Sequence, residues 1–130
     1  MNDDEKQIRQ LVDTWISATR AGDVDTILAL MAPDAIFLAA RQPPMVGRDA
    51  FAQGMRAVLS EHVIETTCDI DEVAISGDLA YCRTRLAVTI ASTHGKLPMQ
   101  RTGHTLTIYR KGADGRWVLT RDANMLAPAN

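Results

Sequence analysis

The chain has 130 residues, 46% of them hydrophobic and 23% charged, with a formal net charge of −2. That length suits one domain and encloses a core without disulfide staples. The composition excludes a disordered or fibrous chain, and the scattered basic residues supply no positive stripe for a nucleic-acid backbone.

Apolar residues Ile8, Leu11, Val12, Trp15 and Ile16 recur at helical spacing, which predicts an amphipathic helix over 4–21. Asn2, Asp3 and Asp4 suit its start and Gly22 its end. Asp23 caps a predicted second, shorter helix holding Val24, Ile27, Leu28 and Met31, which Pro33 terminates. The run from Ala35 to Ala39 fits a buried strand, residues 41–47 read as a loop, and a third helix is predicted from Arg48 to Glu61 with Phe51, Met55, Val58 and Leu59 inward. From His62 the period changes to two. Strands are predicted over 63–75, 79–91, 99–110 and 116–125, separated by Ser76-Gly77-Asp78, by the loop His94 to Pro98, and by Gly112 to Gly115. Helices followed by long strands predict an α+β domain, an antiparallel sheet with three N-terminal helices on one face. Such a sheet curls into a cone whose open end is an apolar pocket.

No apolar run is long enough to span a bilayer, and Met-Asn-Asp-Asp-Glu is acidic where a secretory leader is basic. A cytoplasmic protein with no membrane or nucleic-acid partner is expected. Cys68 and Cys82 lack CxxC spacing and read as free thiols; the three histidines have no ligand spacing, so neither metal nor cofactor is expected.

Several residues are candidates for chemistry. Period two sets Asp122 and Asn124 on one face of the last strand, opposite Trp117, Leu119 and Arg121. A carboxyl in an apolar cone has a raised pKa and suits general-base work; its bland alternative is a pair with a neighbouring arginine. Tyr81, Arg83 and Arg85 share one face of the second strand, opposite Cys82, Thr84, Leu86 and Val88. Arg83 and Tyr81 reach the pocket mouth as anion binders in one reading and belong to a polar outer face used in a subunit contact in the other. His104 is the first choice for an acid or base, imidazole being the side chain suited to moving protons at neutral pH, against a hydrogen-bonded core role. The methionines fill gaps, with Met45 as part of a lid. Trp117 and Leu119, facing away from the pocket, predict an apolar strip on the outer sheet face and a homodimer through it.

The motif Trp15-x6-Gly22-Asp23, the run Met31 to Ala35, and Gly47-Arg48 together resemble the nuclear transport factor 2-like superfamily. The ending Gly115 to Asn124 resembles its SnoaL-like, SgcJ/YybH-type branch, the ketosteroid isomerase homologues. The resemblance implies a cystatin-like cone, with the Thr120–Asp122–Asn124 face lining the pocket and the strand face of His104, Leu106 and Ile108 pointing inward. Trp15, Phe37, Met55, Tyr81, Arg83 and Asn124 are the expected ligand contacts. In ketosteroid isomerase a tyrosine on the first helix precedes the Gly-Asp pair by seven residues; that position is Trp15. The isomerase's base matches Ala39, and its partner acid falls near Thr102 or Gly103. The isomerase mechanism is therefore not implied. What remains is a domain that binds a small apolar or amphipathic molecule, or a cofactor-independent enzyme using His104 and Asp122.

Overall fold

The structure, a computed structural model, describes residues 2–129. Helix α1 (Asp3–Ala21) begins where the Asn2 side chain accepts from the Glu5 N–H at 2.8 Å, and it ends at Gly22, whose left-handed backbone (φ 73°) suits glycine. Asp23 caps α2 (Val24–Leu28), accepting from the N–H of Thr26 at 3.2 Å and from its hydroxyl at 2.6 Å. The second helix is shorter than predicted: Met31 opens strand β1 (Met31–Ala39). Pro33 sits inside that strand, in the stretch between Met31 and Ile36 where the ladder to its neighbour is irregular and a missing N–H costs little. A two-residue strand β2 (Met45–Val46) follows, then α3 (Arg48–Leu59).

The remaining strands are β3 (His62–Ser76), β4 (Leu79–Ser92), β5 (Met99–Lys111), β6 (Trp117–Asn124) and the short β7 (Ala127–Pro128). The sheet order is β2-β1-β6-β5-β4-β3, with β7 pairing β5 beyond the end of β6. It is mixed, not antiparallel throughout, because β1 runs parallel to β6. A parallel pair needs a long connection, and everything from β2 to β5 supplies it. The α+β architecture itself, three N-terminal helices on a curved, unclosed sheet, is as the sequence reading has it. No helix among the described residues is long and apolar enough to cross a membrane.

Burial identifies the concave face. Ile8, Leu11 and Ala18 of α1, Ile27 of α2 and Phe51 of α3 pack on Met31, Ala35, Ala80, Cys82, Tyr109, Trp117 and Leu119. Trp117 and Leu119, each 4% exposed, therefore face the helices and not the outer side, contrary to the period-two reading. The cause is a β-bulge. Ile108 pairs with Arg121 and Tyr109 with Leu119, so Thr120 is an extra residue with no partner of its own, and the side-chain alternation shifts by one. The Trp117 indole then donates to Asp4 at 3.0 Å, and Lys111 donates to the same oxygen at 3.1 Å. The apolar strip expected on the outer face from these two residues does not exist.

Candidate functional site

Strand registers place two rows of side chains across the concave face. One runs Cys82, Thr107, Asp122, Phe37; the next runs Thr84, Thr105, Asn124, Ala39. Within the second row the Thr84 and Thr105 hydroxyls bond each other. Within the first, the Thr107 hydroxyl donates to Asp122 Oδ1 at 2.6 Å.

Asp122 forms no salt bridge among the described residues and is half-buried. Burial raises its carboxyl above the ordinary 3.8, and the Thr107 hydroxyl pulls the other way. Its second oxygen has no protein partner among the described residues. Since none of their buried side-chain nitrogen or oxygen atoms lacks a partner, that oxygen opens onto accessible space. A carboxyl walled by protein yet reachable donates when protonated and accepts when ionised.

Aromatic rings stand beside it. Phe37 is the cross-strand neighbour of Asp122 and stacks on Phe51 at 4.7 Å between centroids. Trp15 of α1 lies 6.3 Å from Phe37 and 5.5 Å from Phe51. Met55 packs against the core at this side. Gly54 lets Met45 lie against α3, because a side chain there would come 3.3 Å from Met45 Cε.

The other inward titratable groups stay neutral. Burial first, then Cys82 and Asp122, hold the Tyr109 hydroxyl far above its ordinary 10.0. Burial pushes Cys82 up to about 11 and raises Cys68, so both are protonated, unreactive thiols at neutral pH, and both are unpaired.

Three candidate residues lie elsewhere. Tyr81, Arg83 and His104 are on the outer face, because Ala80, Cys82, Thr84 and their partners Tyr109, Thr107 and Thr105 take the inner one. Arg83 pairs with Glu72 at 3.2 Å and Asp71 at 3.7 Å, and Arg85 with Asp71 at 3.1 Å and Asp69 at 3.7 Å. These arginines are satisfied by β3, where a second bulge at Ile70–Glu72 brings Asp71 between them. The neighbouring Glu72 carboxylate raises the pKa of the Tyr81 hydroxyl. His104 is exposed beside Arg85. A concavity of about 340 Å³ does lie there, lined by Thr67, Asp69, Arg85, Ala87, Thr102 and His104, and one of about 330 Å³ lies beside Ser17, Arg20, Ala21 and Val63. The first has its charges already paired and the second is a plain surface hollow, so volume is the poorer guide here and the concave cluster is the candidate site.

The structure thus brings Trp15, Phe37, Met55, Asp122 and Asn124 to the concave side and leaves Tyr81, Arg83 and His104 off it. Thr107, Tyr109 and Phe51 were missed as site residues. The period-two set Thr105–Thr107–Tyr109 was the available signal. Among the described residues no group of three or more His, Cys, Asp or Glu side chains is placed to hold a metal ion.

Comparison with known proteins agrees with this architecture. The SnoaL-like domain family matches residues 12–120. A conserved protein from Planctomyces limnophilus superposes with a TM-score of 0.93 at 31% identity, over 97% of this chain and 98% of that one. A ketosteroid isomerase-like protein from Erwinia carotovora atroseptica gives 0.84 at 21% identity, over 97% and 98%. An NTF2-like protein with a cystatin-like fold from Novosphingobium aromaticivorans gives 0.78 at 22%, over 95% and 82%. The last two likenesses speak for the fold alone. No curated protein matches significantly. With most of its length matched by one family, the chain belongs to the SnoaL-like family of the nuclear transport factor 2-like superfamily.

Proposed function

We propose that this protein binds a small, largely apolar or amphipathic molecule on its concave face, with the Asp122 carboxyl as polar anchor. One observation carries the reading: a carboxyl half-buried beside aromatic rings has a single hydroxyl donor, no cation, and a free oxygen. Burying a carboxyl costs free energy unless it is partnered, and a ligand oxygen or hydroxyl would supply the partner that the free oxygen of Asp122 does not have in the protein. The rings provide flat apolar surface, and the anchor orients an oxygen of the bound molecule.

The same carboxyl favours a second reading, that of a cofactor-independent enzyme. A carboxyl whose pKa is raised by burial has moved toward the range in which acid–base catalysis at neutral pH works. The Erwinia relative is called ketosteroid isomerase-like, but in this chain the acid–base group would be Asp122 on β6.

The test is a ligand screen by nuclear magnetic resonance, followed by Asp122→Asn and Asp122→Leu. The asparagine variant keeps hydrogen-bonding capacity and is expected to hold affinity within a few-fold; the leucine variant is expected to lose roughly tenfold. For any substrate turned over, Asp122→Asn is expected to lower the rate about 10²- to 10⁴-fold. Unchanged affinity in Asp122→Leu removes the carboxyl from the site.

A second copy of the chain is the proposed protein partner, through the outer sheet face. Support comes from Leu106, Leu79 and Tyr81, which stand 43%, 47% and 37% exposed there.

A further inference from the structure

We infer that Asn124 reads a second oxygen of the ligand, so that the bound molecule is a ring carrying two oxygen substituents on non-adjacent ring atoms. The inference rests on the concave-face binding site proposed above. Asn124 faces the same side as Asp122, opposite Thr105 in the register. Its Oδ1 accepts from the Leu126 N–H at 3.3 Å, which fixes the amide orientation and turns the NH2 group away from that bond. The amide nitrogen has no protein partner among the described residues, and as with Asp122 it is not sealed in the interior. It is a donor at every pH.

The neighbouring hydroxyls are already committed. Thr84 and Thr105 bond each other, and Thr107 bonds Asp122. In these two rows the side-chain polar atoms that bond nothing in the protein are therefore the second oxygen of Asp122 and the amide nitrogen of Asn124. Two residues apart on one strand face, their attachment points are roughly 7 Å apart. Each side chain then reaches one hydrogen-bond length, about 3 Å, toward the ligand. Two oxygens on adjacent ring atoms are too close together to meet both groups with straight bonds. Oxygens meta or para on one six-membered ring span the gap. The strip between is suited to a flat ring: Phe37 stands beside Asp122, and the small Ala39 beside Asn124 leaves the other half uncovered.

The experiment titrates toluene, phenol, catechol, resorcinol and hydroquinone against the intact protein by ligand-observed nuclear magnetic resonance. The quantity read is the affinity ratio of each diol to phenol. Resorcinol or hydroquinone is expected to exceed phenol by roughly three- to tenfold, the worth of one added hydrogen bond, while catechol gains nothing. In Asn124→Leu and in Asn124→Ala, each of which removes the amide donor, the ratio is expected to fall to about one. Should phenol and toluene bind while no diol gains, or should both Asn124 variants keep the gain, the assignment of Asn124 is wrong and the concave site stands. Should none of the five probes bind, or should Asp122→Leu bind phenol undiminished, the site itself is wrong and the inference falls with it.

Discussion

Replacing Thr107 by valine isolates the one protein contact that Asp122 makes. Valine keeps the β-branched shape at this buried position and removes the hydroxyl that donates to Asp122 at 2.6 Å, a length typical of a charge-assisted O–H···O bond. The cost depends on the state of the carboxyl. With Asp122 neutral the lost bond is worth about 0.5–1.5 kcal/mol; with Asp122 ionised it is worth about 1.5–3 kcal/mol. The destabilisation by Thr107→Val is therefore expected to grow by about 1 kcal/mol from acid to alkaline pH. The parent protein has its own dependence. Burial lifts the folded-state pKa of Asp122 above 3.8, so the folded chain keeps a proton that the unfolded chain releases. That stability is fully present below 3.8 and is lost as pH rises through the raised native value. Removing Thr107, which pulls this value down, extends the window upward. Urea unfolding across acid to mildly alkaline pH, in the parent, Thr107→Val, Asp122→Asn and the double variant, reads each term. In the Asp122→Asn background the Thr107 substitution is expected to cost about 1 kcal/mol at every pH. A pH-independent cost in the parent, or an equal slope in the asparagine background, refutes the coupling.

Gly103→Ala is expected to destabilise by about 1–3 kcal/mol, because a methyl there overlaps the Met125 carbonyl, 2.7 Å from its carbon, and lies 3.0 Å from Leu126 Cα. Amide exchange at Ala129, whose N–H bonds the Gln100 carbonyl, should accelerate with it; an unchanged urea midpoint argues against the close approach. His104→Gln is expected to change stability by less than about 0.5 kcal/mol and to leave ligand affinity unaltered, since the side chain is exposed on the outer face. A tenfold loss of binding would return His104 to the site. Light scattering is expected to show a dimer that Leu106→Glu dissociates, and a monomer mass for the parent at all concentrations would end that proposal.

Helix caps, helix faces and strand positions were legible because each is written locally. The stripe Ile8–Leu11–Val12–Trp15, the caps at Asn2 and Asp23 and the glycine at 22 each act within a few residues, and all recur in the structure. What failed was non-local. The parallel pairing of β1 with β6 joins segments some 90 residues apart, and no local signal announces it. The resemblance puts His104 on an inward face with Leu106 and Ile108, which is also the more apolar face of β5. In the structure the inner face of that strand is Thr105, Thr107 and Tyr109, with Thr105 bonded to Thr84 and Thr107 to Asp122 across the sheet, while Leu106 is 43% exposed. Hydrophobicity ranks faces correctly when the core is dry and wrongly when a strand lines a polar site. Asp122 and Asn124 were readable as a pair because nothing interrupts the alternation between them.

The extra residue in β6 is what allows one eight-residue strand to serve both the core and the site. Trp117 and Leu119 must face the helices, since they are among the largest side chains of the core, and Asp122 and Asn124 must face the same way to meet Phe37 and Trp15. Positions 117 and 122 have opposite parity, so an unbroken strand cannot satisfy both. The bulge at Thr120 reconciles them, and Arg121 holds it: its guanidinium donates to the Thr120 carbonyl at 2.7 Å, to the Thr120 hydroxyl at 3.1 Å and to the Asp34 carbonyl at 3.1 Å. The last of these bonds reaches into β1, in the same stretch where that strand breaks register with β6. Both irregularities therefore lie side by side, at the boundary between the dry floor of the cone and its polar wall. Asp122 is thus aimed by backbone geometry that ordinary side-chain motion leaves unchanged, and a carboxyl fixed in this way would meet the proposed ligand without first being ordered.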